Sequence, residues 1–179
     1  QPIIEAAQNV CISYGIDHFS KKENEVIKLL NKINNKTQTL ILKNKYQRYY
    51  KPFSLKEALR LRKEFPNAIV INGSTDVALR QTKRNETLTV ILDLSGVVEL
   101  KYIREEEKEV IIGAGVTIEQ LRNYSFKKFP SLKKILDVFG SLQIRNIATI
   151  GGNVGSASPI GDSIPVLFDI SDSKKSKEI

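Results

Sequence analysis

The chain has 179 residues, 41% of them hydrophobic and 27% charged, a mix that supports a folded core and excludes wholesale disorder. Twenty-eight Lys and Arg against 20 Asp and Glu give a net charge of +8, but the basic residues are scattered without interleaved aromatics, which favours a solvated lysine-rich surface over a nucleic-acid interface. One cysteine, Cys11, and one histidine, His18, exclude an internal disulfide and a zinc or iron–sulfur site built within the chain, and no apolar run approaches the ~18–20 residues that span a bilayer.

The single cysteine and the lack of a visible signal peptide favour a reducing, cytoplasmic setting. The chain begins with Gln1, contains no Met and ends in the polar run Ser171–Ile179, so it reads as part of a longer protein. Pro2–Ala7 is compatible with a helix. Lys21 to Arg48 is rich in Lys and Asn, with modest helical periodicity at Val26, Ile27, Leu29, Leu30 and Ile33, and reads as a tether carrying a short helix.

From Lys51 the signals sharpen. Ser54-Leu55-Lys56-Glu57 is a capping box opening a helix that must end before Pro66. Ala68–Ile71 reads as a buried strand, Val77–Arg80 as the start of a helix, and Thr89–Asp93, Lys101–Arg104 and Glu109–Ile112 as further strands. Thr117–Gln120 is a second capping box. Leu132, Ile135, Leu136 and Phe139 give an amphipathic helix closed by Gly140, and Asp162 is placed to cap a last helix, Ser163–Ile170. Strands and helices alternate irregularly, which predicts an α+β or mixed α/β fold.

Three glycine-containing segments are candidates for ligand contact. Asn72-Gly73-Ser74-Thr75-Asp76 joins a strand to a helix, where successive amides and the Ser74 and Thr75 hydroxyls converge beside a helix N-terminus; an anion cradle and an ordinary strand-to-helix turn both fit. Gly113-Ala114-Gly115-Val116-Thr117-Ile118 has Ile118 in place of the third dinucleotide-binding glycine and reads as a tight turn into a capped helix. The stretch Gln143–Asp162 packs glycines, asparagines and serines around a very short apolar strand, Ala148–Ile150. It predicts a loop with little side-chain bulk and free backbone amides, poised for a phosphate or a planar ring. No acid–base dyad, nucleophile pair or metal cluster accompanies these segments, so any chemistry would reside in a cofactor.

Together these segments resemble the PCMH-type FAD-binding domain of the molybdenum hydroxylase family, most of all its xanthine dehydrogenase branch. The matching pieces are Pro52–Ala58, Val70–Val77, Ile112–Thr117 and Gln143–Pro165, in the family's order and spacing. The resemblance implies a two-subdomain fold, truncated here on its C-terminal side, with residues 1–47 as the tail of a preceding iron–sulfur domain plus linker and 48–179 as the FAD domain. It implies that Val70, Ile71, Asn72, Gly73, Ser74, Thr75, Asp76 and Val77 wrap the FAD pyrophosphate, and that Phe139, Thr149, Gly152, Asn153 and Asp162 surround the cofactor, with no catalytic or metal-binding residue of the chain's own. The family's usual Gly-Gly-Thr or Gly-Ala-Thr is Gly73-Ser74-Thr75 here. A valine at position 73 would be expected to occupy the phosphate's place and leave the fold largely intact. The implied function is electron transfer from [2Fe-2S] clusters to FAD and then to NAD, beside a molybdenum-binding large subunit or domain; clusters and molybdenum cofactor are not bound by this chain. The alternative expectation is a basic nucleic-acid-binding or scaffold module without cofactor.

Overall fold

The computed structural model describes residues 2–12, 19–33, 38–107, 109–156 and 165. Two compact units result, Gln1–Lys36 and Thr37–Ile179. The first holds α1 (Pro2–Ile12), a 3₁₀ turn at Ser20–Lys22 and α2 (Glu23–Ile33), on which Val26, Ile27, Leu29 and Leu30 are all exposed. Both helices fall where the sequence shows helical character.

The second unit begins with β1 (Leu40–Lys43), which pairs antiparallel with β2 (Arg48–Lys51) through Ile41↔Tyr50 and Leu42↔Tyr49. The expected boundary at residue 47 therefore cuts a hairpin. Lysines and asparagines flanking Leu40-Ile41-Leu42 conceal it in the sequence, and all four β1 residues are exposed. α3 (Leu55–Glu64) then crosses to β3 (Ile69–Ile71), and α4 (Val77–Arg84) leads to β4 (Val90–Asp93). The strand order is β1-β2-β4-β3, with β4 parallel to both β2 and β3. β3 is thus an edge strand with Val70 42% exposed, where the sequence predicts a buried one. Tyr50, Leu61, Ala68 and Leu92 form the core under this sheet, and the Tyr50 and Phe65 rings stack at 4.9 Å.

A second, antiparallel ladder joins β5 (Ile103–Glu105) to β6 (Val110–Ile112). It packs with α5 (Ile118–Lys128) and α6 (Pro130–Val138) around Val116, Ile118, Leu121, Leu132, Leu136, Ala148 and Ile150. The second capping box is complete: Thr117 Oγ1 accepts from the Gln120 amide at 3.1 Å, and Gln120 Oε1 accepts from the Thr117 amide at 2.9 Å. At the first, Ser54 Oγ accepts from Glu57 N, but the Glu57 carboxylate turns to Arg60 (Nη2–Oε1 2.6 Å), so only half of that box forms. A guanidinium three residues along offers a charge-assisted bond that a backbone amide does not match.

The glycine-rich stretch corrects the sequence reading most. It holds two helices, α7 (Leu142–Ile147, capped by Ser141) and α8 (Ile150–Ser156). Between them Thr149 makes an antiparallel bridge to Thr117, which is all that forms of the expected strand. Asp162 and the expected helix Ser163–Ile170 lie outside the described residues, apart from Pro165, which is helical and exposed.

Candidate functional site

The strand-to-helix segment after β3 and the start of α8 face one another across a cavity of about 700 Å³. Its wall contains Val70, Ile71, Asn72, Gly73, Ser74, Thr75, Asp76 and Val77 from the first segment, Phe139 from the α6–α7 turn, and Thr149, Gly152 and Asn153 from α8 and its entrance. Twelve of the thirteen residues singled out in the sequence thus share one cavity; the thirteenth, Asp162, lies outside the described residues. Arg80, Leu94, Leu100, Ala114, Ile144, Gly151, Gly155 and Ser156 also line it. Of these, Gly155 was legible in principle, because it follows Gly152 at helical i, i+3 spacing.

Backbone hydrogen bonds tie the α8 side of the cavity to the turn between β6 and α5. Ile118 N donates to Ala148 O and Ile150 N to Val116 O, both at 2.9 Å, and Gly151 N donates to Ala114 O at 3.0 Å. A Cβ on Gly73 would lie 2.0 Å from Ile147 O, and one on Gly151 would lie 2.6 Å from Ala114 Cβ. These two glycines serve segment-to-segment approach. Gly155 behaves differently: a Cβ there would meet nothing within 4 Å.

The amides divide in the same way. Those of Ile150, Gly151, Gly152 and Asn153 are all spent on the protein, on Val116 O, Ala114 O, Thr149 Oγ1 and Thr149 O. The free amides expected of this stretch are therefore not found at these four residues, because the helix start finds partners for them. By contrast the amides of Ser74, Thr75 and Asp76, at the mouth of α4, have no acceptor among the described residues. Ser74 holds φ +63, the left-handed region, which turns this segment sharply into the helix. Asp76, which also borders the cavity, makes no side-chain cap. One turn further, Arg80 is fixed by Glu86 (Nε–Oε2 2.8 Å).

Among the described residues no group of three His, Cys, Asp or Glu could hold a metal ion, and no helix is long and apolar enough to cross a membrane. The cavity offers amides without an acceptor among the described residues, a few polar side chains and apolar surface from Leu94, Leu100, Phe139 and Ile144.

The profile of the family described as the FAD binding domain in molybdopterin dehydrogenase matches residues 44–172. The FAD-subunit of nicotinate dehydrogenase from Eubacterium barkeri is 37% identical over 124 residues, which is 66% of this chain and 42% of that protein. Xanthine dehydrogenase from Calliphora vicina is 30% identical over 143 residues, 74% of this chain and 11% of that protein. Reconstituted CO dehydrogenase from Oligotropha carboxidovorans superimposes with a TM-score of 0.61 at 27% identity, over 68% of this chain and 43% of the solved chain. The chain therefore spans about a tenth of the xanthine dehydrogenase and less than half of the other two.

Proposed function

Because this chain belongs to the family of FAD-binding domains of molybdopterin dehydrogenases, we propose that the cavity between β3 and α8 holds FAD and that the chain is the electron-transfer flavin domain of a xanthine dehydrogenase-like molybdenum hydroxylase. Support comes from one juxtaposition: three amides at the start of α4 with no acceptor among the described residues line the same cavity as Gly152 and Gly155 of α8, which carry no side chain. Amides at a helix N-terminus suit the diphosphate, since the helix dipole adds to their partial positive charge. A glycine-bared face suits a flat ring system. A volume of about 700 Å³ lies within the ~300–1,000 Å³ range of cofactor sites.

In this reading the chain's residues bind, orient and exclude water, and bound FAD supplies the redox chemistry. Val70–Val77 cradles the pyrophosphate. Phe139, Thr149, Gly152 and Asn153 surround the rest of the cofactor, and Asp162 joins them on resemblance alone. Iron–sulfur clusters as electron source, NAD as acceptor and a molybdenum-binding partner follow from the likeness to xanthine dehydrogenases. The nucleic-acid alternative has less behind it: Arg60, Arg80, Arg104, Arg122 and Arg145 are each paired with a carboxylate. The full-length protein, purified gently, should show a flavin absorbance spectrum bleached by its reducing substrate and restored by NAD. A colourless protein that also fails to take up added FAD overturns the reading; bleaching restored by oxygen alone overturns the NAD assignment.

A further inference from the structure

Arg145 lies outside the cavity wall yet bonds the turn that carries Phe139, one of its apolar residues. Its Nε donates to Glu119 Oε2 on α5 at 2.7 Å, and its Nη1 donates to the carbonyls of Gly140 at 2.8 Å and Phe139 at 3.2 Å. Those carbonyls belong to the C-cap of α6 and the residue after it, which receive no helical amide, and Gly140 at φ +51 turns the chain toward α7. Glu119 is held in turn by Arg122, which reaches Asp137 Oδ1 at 2.9 Å. The net thus grips the chain on both sides of Phe139, at Asp137 and at Gly140. The Arg145 and Glu119 side chains are only 14% and 13% exposed, so solvent screens their ion pair less than one on the open surface.

We propose that Arg145 is a positioning residue for the cofactor: by tying the Phe139 and Gly140 carbonyls to Glu119 it fixes the Phe139 ring as a cavity wall, and so sets the affinity and surroundings of bound FAD without touching it. This rests on the reading that FAD occupies the cavity. The planar guanidinium serves two carbonyls and a carboxylate at once from a rigid fork, which a lysine ammonium does not reproduce.

The test uses the full-length flavoprotein, with FAD dissociation constant and visible circular dichroism of the flavin as readouts. Phe139→Leu and Arg145→Gln should each weaken FAD about tenfold and shift the flavin dichroism in the same sense, and the double variant should be little worse than either single one. Arg145→Lys should recover part of the shift. Independent, multiplying effects, or an Arg145→Gln protein with a lower melting temperature but unchanged affinity and dichroism, would overturn the proposal. An unchanged Phe139→Leu protein would instead count against FAD in this cavity. Should Arg145→Gln fail to fold, Glu119→Gln interrogates the same net: a matching dichroic shift supports the positioning role, and an unshifted spectrum overturns it.

Discussion

Gly73 and Gly155 lack side chains for opposite reasons, and substitution separates them. A Cβ on Gly73 meets Ile147 O, so even Gly73→Ala should destabilise the fold, by about 1–3 kcal/mol for an overpacked contact, read as a lower urea midpoint without FAD present. The expectation from sequence that Gly73→Val spares the fold is thereby corrected: the side chain strikes the protein's own backbone before it reaches a ligand. Gly155 borders the cavity, and a Cβ there meets nothing within 4 Å among the described residues. Gly155→Leu should leave the apoprotein as stable or up to ~1 kcal/mol more so, since leucine outranks glycine in a helix, while FAD binding falls at least tenfold. Titration with FAD alongside thermal melts checks both halves. Ser74 supplies the converse case. Its left-handed backbone costs an L-residue roughly 1–2 kcal/mol, partly offset by the greater chain entropy glycine would lose, so Ser74→Gly should raise stability by about 0.5 kcal/mol.

At the scale of elements, the α5–α7 contact should be acid-sensitive. Arg122 and Arg145 hold the Glu119 carboxyl down to about 2 from its usual 4.5. A carboxyl lowered in the folded state stabilises the fold above its unfolded value, and that contribution fades as pH falls from near 4.5 toward 2. Urea midpoints measured from pH 6 to pH 3 should therefore decline, and Glu119→Gln should flatten the decline. The same helix shows what local sequence can specify. Thr117 and Gln120 announced α5 because a capping box needs only its own four residues. α8 was hidden for the complementary reason. Gly151 and Gly152 disfavour a helix locally, and what holds them in one is distant: Val116 O and Ala114 O take the amides of Ile150 and Gly151. The cavity residues were legible as sequence motifs, but the division of labour among their glycines and amides was not, because it depends on which segment each one meets.

At the scale of the whole chain, the hairpin β1–β2 marks where the second unit starts. Starting the chain at residue 48 removes the strand that pairs with β2 and leaves Arg48–Lys51 an unpaired edge. Such a protein should melt lower, or aggregate more readily, than one starting at Thr37, as calorimetry and light scattering would show. The cavity wall draws on segments about eighty residues apart in sequence, roughly the span from the β3 end to α8, so it exists only once both cores have docked. FAD should then bind the folded state alone and raise the melting temperature with concentration, by about 2.7 kcal/mol of stability at a hundredfold excess over its dissociation constant.

The approach of Gly73 to Ile147 carries a consequence for genetic repair. The obstructing atom is a carbonyl oxygen, present whatever residue occupies position 147, so trimming Ile147 to alanine frees no space for a new Cβ at position 73. Second-site suppressors of a Gly73 substitution should therefore be scarce among side-chain changes and, where they arise, should shift the path of the 140s backbone itself.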